Sequence, residues 1–312
     1  MVRAGVSAGV RPGPQVYVQT RGTARATDYA FLCGAPPHAW WRAYRDATAF
    51  DHPTVLVVSD GAGWAAYLSG IPSARVDAVG TVVRYTLVLD GHCAAAPVAD
   101  RVPVAVAAWL DDLAGARTGR LSAALDARFP DDDVQRWIET GEPAPLSPAS
   151  DLTLVSEPGR RVLDALASLP GRPAGHDADV PGDWIGAVGA PEPRSAFVAR
   201  VAALVAGTPG RALLLNLVGG PDDLGAIRAP AGPAATLAVL VESADRALAR
   251  PAALPPVVEA KKAPAPRDGA ARTGAAAARR TGTAAVTAVV ALPVLAMLTV
   301  AVLVAVVLVL AL

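Results

Sequence analysis

The sequence predicts an α+β N-terminal domain, an antiparallel-rich sheet with a packed helix, followed by a helical middle, a small α/β unit and one C-terminal transmembrane helix. Three observations carry that prediction. Short β-branched and aromatic runs fill residues 16–89, helical spacing of apolar residues takes over from residue 102, and residues 284–312 form an uncharged run of 29. Of those 29, 26 are hydrophobic, and without them the chain falls to roughly 49% hydrophobic and 20% charged, close to ordinary globular composition. The pattern therefore divides the chain into residues 1–14, expected to be disordered because they lack an apolar period, an α+β domain 15–100, a helical segment 101–150, a small α/β unit 151–250, a Pro/Ala-rich basic linker 251–283 and a transmembrane helix 284–312.

Within residues 15–100, strands are expected at 16–19, 29–33, 54–59, 64–69 and 82–89, separated by Gly, Pro and Asp. The last shows the clearest alternation: Val83, Tyr85, Leu87 and Leu89 share one face, Arg84, Thr86 and Asp90 the other. Residues 36–50 read as a helix that begins with proline and covers the sheet with Trp40, Trp41, Tyr44 and Ala47. Ten of the 15 aromatic residues lie between Tyr17 and Tyr85, which concentrates large packing side chains here.

Helices are expected at 103–113, 119–129 and 131–140, broken at Gly115 and Pro130, with a proline-dense loop over 141–148. The α/β unit should hold helices at 159–169 and 194–206 and strands at 212–218 and 236–242, with a loop running to Asp183. Residues 251–283 are Pro/Ala-rich and basic, a linker by composition.

A 29-residue helix rises about 43 Å, more than the roughly 30 Å hydrocarbon core, so one tilted span fits. Pro293 marks a kink or the passage from interface to core. Arg272, Arg279 and Arg280 precede the span, and the positive-inside rule assigns that flank, and the body before it, to the cytoplasm. The hydrophobic run reaches the last residue and the first 30 residues lack an apolar core of seven or more, so the expectation is a tail-anchored protein without a secretory signal. The basic linker should also be drawn to an anionic leaflet, with about 1 kcal/mol per basic residue near the surface. Ala301 and Ala305, four residues apart, would allow self-association through the tail. The partners expected are the lipid bilayer and a protein.

Charge and residue usage exclude several activities. Residues 1–250 carry 22 Arg against 26 Asp plus Glu, a net charge of −4 without a basic block, which argues against nucleic-acid binding. Lys261 and Lys262 are the only lysines, and both lie in the linker. A P-loop lysine, a kinase strand lysine and a Schiff-base lysine are thereby excluded from the body. The arginine bias, with abundant Ala, Gly, Pro and Val, leads us to expect a GC-rich bacterial gene. Cys33 and Cys93 are expected as buried, reduced thiols in a cytosolic body.

The richest polar stretch is Ser69–Asp77, followed by Gly80 and Arg84, expected as a loop between two strands. Arg75 and Arg84 could grip a carboxylate or phosphate with Asp77 orienting one of them; in the plainer reading Asp77 pairs with one arginine to order the loop. Arg75, Asp77 and Arg84 are the ligand-binding candidates, and neither a cofactor nor a metal is called for.

Other constellations weigh less. Gly61, Gly63 and Ala66 have dinucleotide-motif spacing, but Gly70 and Pro72 leave no room for the helix such a motif needs, so a hairpin turn is expected. Cys33, His38, His92 and Cys93 could ligate zinc or supply a thiol–imidazole pair for hydrolysis. Asp131–Asp133 fit a helix N-terminus better than a cation site, and Asn216, Gly219, Gly220, Asp222 and Asp223 follow a strand as an ordinary turn does. The expected function is a membrane-anchored binding or adaptor body that recognises a protein or a small anionic ligand. The alternatives are a Cys/His- or metal-dependent hydrolase, or a membrane effector or accessory factor of bacterial defence.

Overall fold

The structure, a computed structural model, describes residues 14–24, 27–32, 34–49, 52–93, 96–114, 119–141, 147–149, 152–170, 180–218, 224, 227 and 235–254. All fall in the first of the two units into which the chain divides, Met1–Val257. The body is α+β, a mixed sheet with six α-helices among the described residues. No described helix is long and apolar enough to cross a membrane; the expected span 284–312, with Arg272, Arg279 and Arg280, lies outside the described residues.

The strands are β1 Gln15–Thr20, β2 Ala30–Phe31, β3 Thr54–Ser59, β4 Gly63–Val76, β5 Val82–His92, β6 Ser147–Ala149, β7 Leu152–Val155, β8 Trp184–Ala187, β9 Gly210–Leu215, β10 Leu237–Val241 and β11 Ala252–Ala253. Nine of them form one sheet in the order β11-β8-β10-β9-β3-β4-β5-β1-β2, and β6–β7 is a separate antiparallel pair. β2, β1, β5, β4 and β3 pair antiparallel, as their alternation predicts, and β8, β10 and β9 run parallel. The antiparallel pairing of β3 with β9 joins the two halves, with Val57 opposite Ala212. One sheet thus contains strands from residues 15–100 and from residues 184–253, and β3 and β9, where they meet, are buried on both faces.

The helices are α1 Ala96–Ala99, α2 Arg101–Ala114, α3 Arg120–Asp126, α4 Asp131–Thr140, α5 Glu157–Ser168 and α6 Pro191–Val205. Their ends follow local chemistry. Pro130 and three aspartates open α4, and Gly141 closes it in the left-handed region at φ 59°. The Ser156 side chain caps α5 by accepting from the Gly159 N–H, and Asp112 of α2 accepts from Arg120 and Leu121 N–H at the start of α3, at 2.7 and 3.1 Å. The larger core, around Trp109, Phe129, Phe197 and Tyr85, fills one side of the sheet beneath α2, α3, α5 and α6. A smaller core around Leu56, Leu213, Val239 and Ile185 fills the other.

Four sequence expectations change. The helix expected over 36–50 is an eight-residue 3-10 helix, Trp40–Ala47; three residues per turn align Trp41, Tyr44 and Ala47 on the sheet, and Trp41 stacks on Tyr67 with ring centroids 5.2 Å apart. The loop expected over 69–77 belongs to β4 as far as Val76. Gly70 and Pro72 mark irregularities between Leu68 and Ile71 and between Pro72 and Val76 rather than a break in the strand. Gly70 has φ 76°, and a Cβ there would lie 2.5 Å from the His52 carbonyl oxygen, so only glycine fits the bend. The strand expected over 29–33 contributes only Ala30 and Phe31, while β8, four residues long and wholly buried, occupies a stretch too short to show a period.

Candidate functional site

Arg75, Asp77 and Arg84 each have polar partners within the fold, and Asp77 pairs with neither of the two arginines. Arg75, with a side chain 12% exposed, donates to Thr20 Oγ1 at 2.9 Å, Ser73 Oγ at 3.1 Å, the Arg21 carbonyl at 3.2 Å and Asp131 at 3.3 Å, and lies over the Tyr85 ring. Asp77 pairs with Arg21 at 3.2 Å, a partner that sequence spacing does not suggest. It also accepts from the N–H groups of Val79 and Thr81 at 3.0 and 2.8 Å. The Thr81 N–H above all, with the other turn amides and Arg21, holds the Asp77 carboxyl below the usual carboxylate range. Arg84 donates to the Gly70 carbonyl at 3.0 Å and anchors the bend of β4.

Beside Arg75, Asp126 of α3 accepts from Ser73 Oγ at 2.5 Å, the Ala74 N–H at 2.7 Å and the Tyr85 hydroxyl at 2.9 Å. Burial of Tyr85 is the main reason its phenol is held far above the ordinary tyrosine value, with the neighbouring carboxylate adding to the rise. Thr23 donates to Asp131, which extends the network to the start of α4. These polar groups tie β1, β4, β5, α3 and α4 together.

The remaining candidates are also placed by the structure. Gly61, at φ 92°, sits in the β3–β4 hairpin turn, where Asp60 accepts from the Ala62 and Gly63 N–H groups. Asp131–Asp133 form the first turn of α4; Asp133 binds Arg136 and Arg161, chiefly through the Arg161 hydrogen bond, and its carboxyl titrates below the usual range. Glu157 is likewise lowered, first by its hydrogen bond from Arg160. Asn216 accepts from the Ala49 N–H and donates to Pro53 and Thr54, joining β9 to the end of the 3-10 helix. Cys33, Gly219, Gly220, Asp222 and Asp223 lie outside the described residues; among those described, no three of His, Cys, Asp and Glu are grouped to hold a metal ion.

The feature that sequence reasoning missed is a groove of about 870 Å³ where α1, the start of α2, the C-terminal half of α5 and the end of α6 meet. Val98, Val104, Leu163 and Val205 form its apolar walls, and Ala99, Ala167, Ala202 and Ala206 supply space by their small size. Ala202, Val205 and Ala206 share one stripe of α6 by their spacing of three and four. Asp100, Arg101, Asp164 and Cys93 contribute polar groups to the lining, with Asp164 paired to Arg160 at 2.8 Å. The volume falls in the range of ligand-binding clefts, roughly 300–1,000 Å³. Its signal in the sequence is the run of alanines on helical faces, which composition hides because alanine is abundant throughout.

The chain matches no protein family, no curated protein and no solved structure.

Proposed function

We propose that this protein is a membrane-anchored binding module whose body, on the cytoplasmic side, takes an apolar segment of a protein partner into the groove between α2, α5 and α6. The observation that carries this reading is the groove itself, about 870 Å³ and walled mainly by Val, Leu and Ala. Two carboxylates, Asp100 and Asp164, against one guanidinium, Arg101, disfavour a small anion and suit an apolar segment with a basic flank. The commitment of Arg75 and Arg84 to internal partners points the same way. Anchoring is supported by the uncharged run 284–312 and by Arg272, Arg279 and Arg280 before it.

A photo-crosslinking amino acid at Ala206, an exposed groove position, tests the reading in living cells. A discrete protein adduct is expected, and Ala202→Phe, which fills the groove, should abolish it. Adducts that persist unchanged in the Ala202→Phe chain, or a complete lack of adducts, would reject the groove as the binding site.

A further inference from the structure

Among the described residues four large hydrophobic side chains are exposed, and three of them lie at the far end of the β4–β5 ribbon: Val76 and Val82, paired as the last residue of β4 and the first of β5, and Val79 in the five-residue turn between them. Val79, at the tip, is 68% exposed. Isolated surface valines are ordinary; three of them at one end of a ribbon form a small apolar patch.

The turn has a second property. The Asp77 N–H donates to the Thr81 carbonyl at 2.9 Å, the Gly80 N–H to the Asp77 carbonyl at 3.0 Å, and the Val79 and Thr81 N–H groups to the Asp77 carboxylate. Gly80 takes φ 83°, which lets the turn close in this way. Four backbone donors are thus satisfied within the turn, and the one carboxylate that serves them is neutralised by Arg21 and nearly buried. Such bonds are ordinary in hairpin turns; here they leave those donors satisfied without water, so burying the tip in a less polar phase strands none of them.

We propose that the Val76–Val82 turn is a membrane-contact element, inserting its valines into the interfacial region of the bilayer to which the chain is anchored. The inference rests on the anchoring reading given above. A globular partner fits less well, because a seven-residue tip offers far less than the roughly 800 Å² per side of a stable protein interface. The charges behind the tip are already paired, Arg21 with Asp77 and Arg75 with Asp131. Insertion is accordingly apolar and salt-insensitive, unlike attraction of the basic linker to an anionic leaflet.

The test uses the full chain reconstituted in phosphatidylcholine vesicles, with an environment-sensitive fluorescent amino acid at Val79 or, as the control, at Ala62 in the exposed turn at the other end of β4. The Val79 probe should shift to shorter wavelength and be quenched by lipids with a nitroxide near the headgroup, and 1 M NaCl should leave both effects intact. The Ala62 probe should do neither, and Val76→Ser with Val82→Ser should remove the Val79 shift. If the chain floats with the vesicles while the Val79 probe matches the Ala62 probe, the contact is overturned and the anchor stands. A chain that does not float at all removes the anchor and the contact together. A concentration-dependent shift without lipid would assign the tip to a second copy of the chain and overturn the proposal, as would a shift that survives the serine substitutions.

Discussion

Replacing Arg75 with Met separates a structural arginine from a ligand-gripping one, because methionine keeps an apolar stem in place and removes only the charged head. The head makes hydrogen bonds to Thr20, Ser73, the Arg21 carbonyl and Asp131 from a position only 12% exposed. Breaking a buried ion pair costs about 3–5 kcal/mol. Here that figure is reduced, because the Asp131 side chain is 36% exposed and is rehydrated when its partner goes, and because Thr20 Oγ1 keeps its bond to the Arg84 carbonyl. A loss of about 3 kcal/mol remains. With a urea m-value near 3 kcal/mol/M, the midpoint for residues 1–257 should fall by about 1 M. Arg84→Met, which removes one bond to the Gly70 carbonyl, should cost about 1 kcal/mol. A change of less than about 0.5 kcal/mol for Arg75→Met, the size expected of an uninvolved surface position, would refute the structural role and return Arg75 to the list of ligand-binding residues.

Other predictions concern neighbouring parts of the fold. Gly70→Ala combines φ 76° with a Cβ 2.5 Å from the His52 carbonyl oxygen, so we expect a loss of about 2–3 kcal/mol in the same urea titration. Tyr85→Phe removes one of three donors to Asp126 and should lower stability by about 1.5–3 kcal/mol, while in the unsubstituted chain ultraviolet titration should show the Tyr85 phenol un-ionised up to the pH of unfolding. The lowered carboxyls of Asp133 and Glu157 contribute stability above their unfolded values, near pH 4, and lose it as pH falls through the folded ones. The melting temperature should therefore drop on acidification below about pH 4, and Asp133→Asn with Glu157→Gln should flatten that drop.

The elements legible in the sequence are those with a strong local period or a strong local stop. β5 shows its alternation in Val83, Tyr85, Leu87 and Leu89, and α4 begins and ends where Pro130 and Gly141 require. What escaped depends on contacts distant in sequence. β4 continues through Gly70 and Pro72 because the His52 backbone and Arg84 hold its bend, and neither is visible from the residues at the bend. β8 is only four residues long, and its burial is completed by pairing with β10 more than fifty residues later. At the candidate site the residue types were legible and the partners were not: Asp77 binds Arg21 rather than Arg75 or Arg84, and Arg75 binds Asp131, fifty-six residues away. The groove was hidden for a related reason, since alanines mark a cleft only once three helices are set side by side.

Protease accessibility of the body in sealed membranes tests the central claim most directly, that residues 284–312 hold a cytoplasmic binding body at the bilayer. In vesicles that expose the cytoplasmic face, added protease should release the body from the membrane pellet and leave only the anchor region with the lipid, whereas intact cells should protect it. Recovery of the uncut chain in the soluble fraction, or digestion of the body by protease added outside intact cells, would contradict the account.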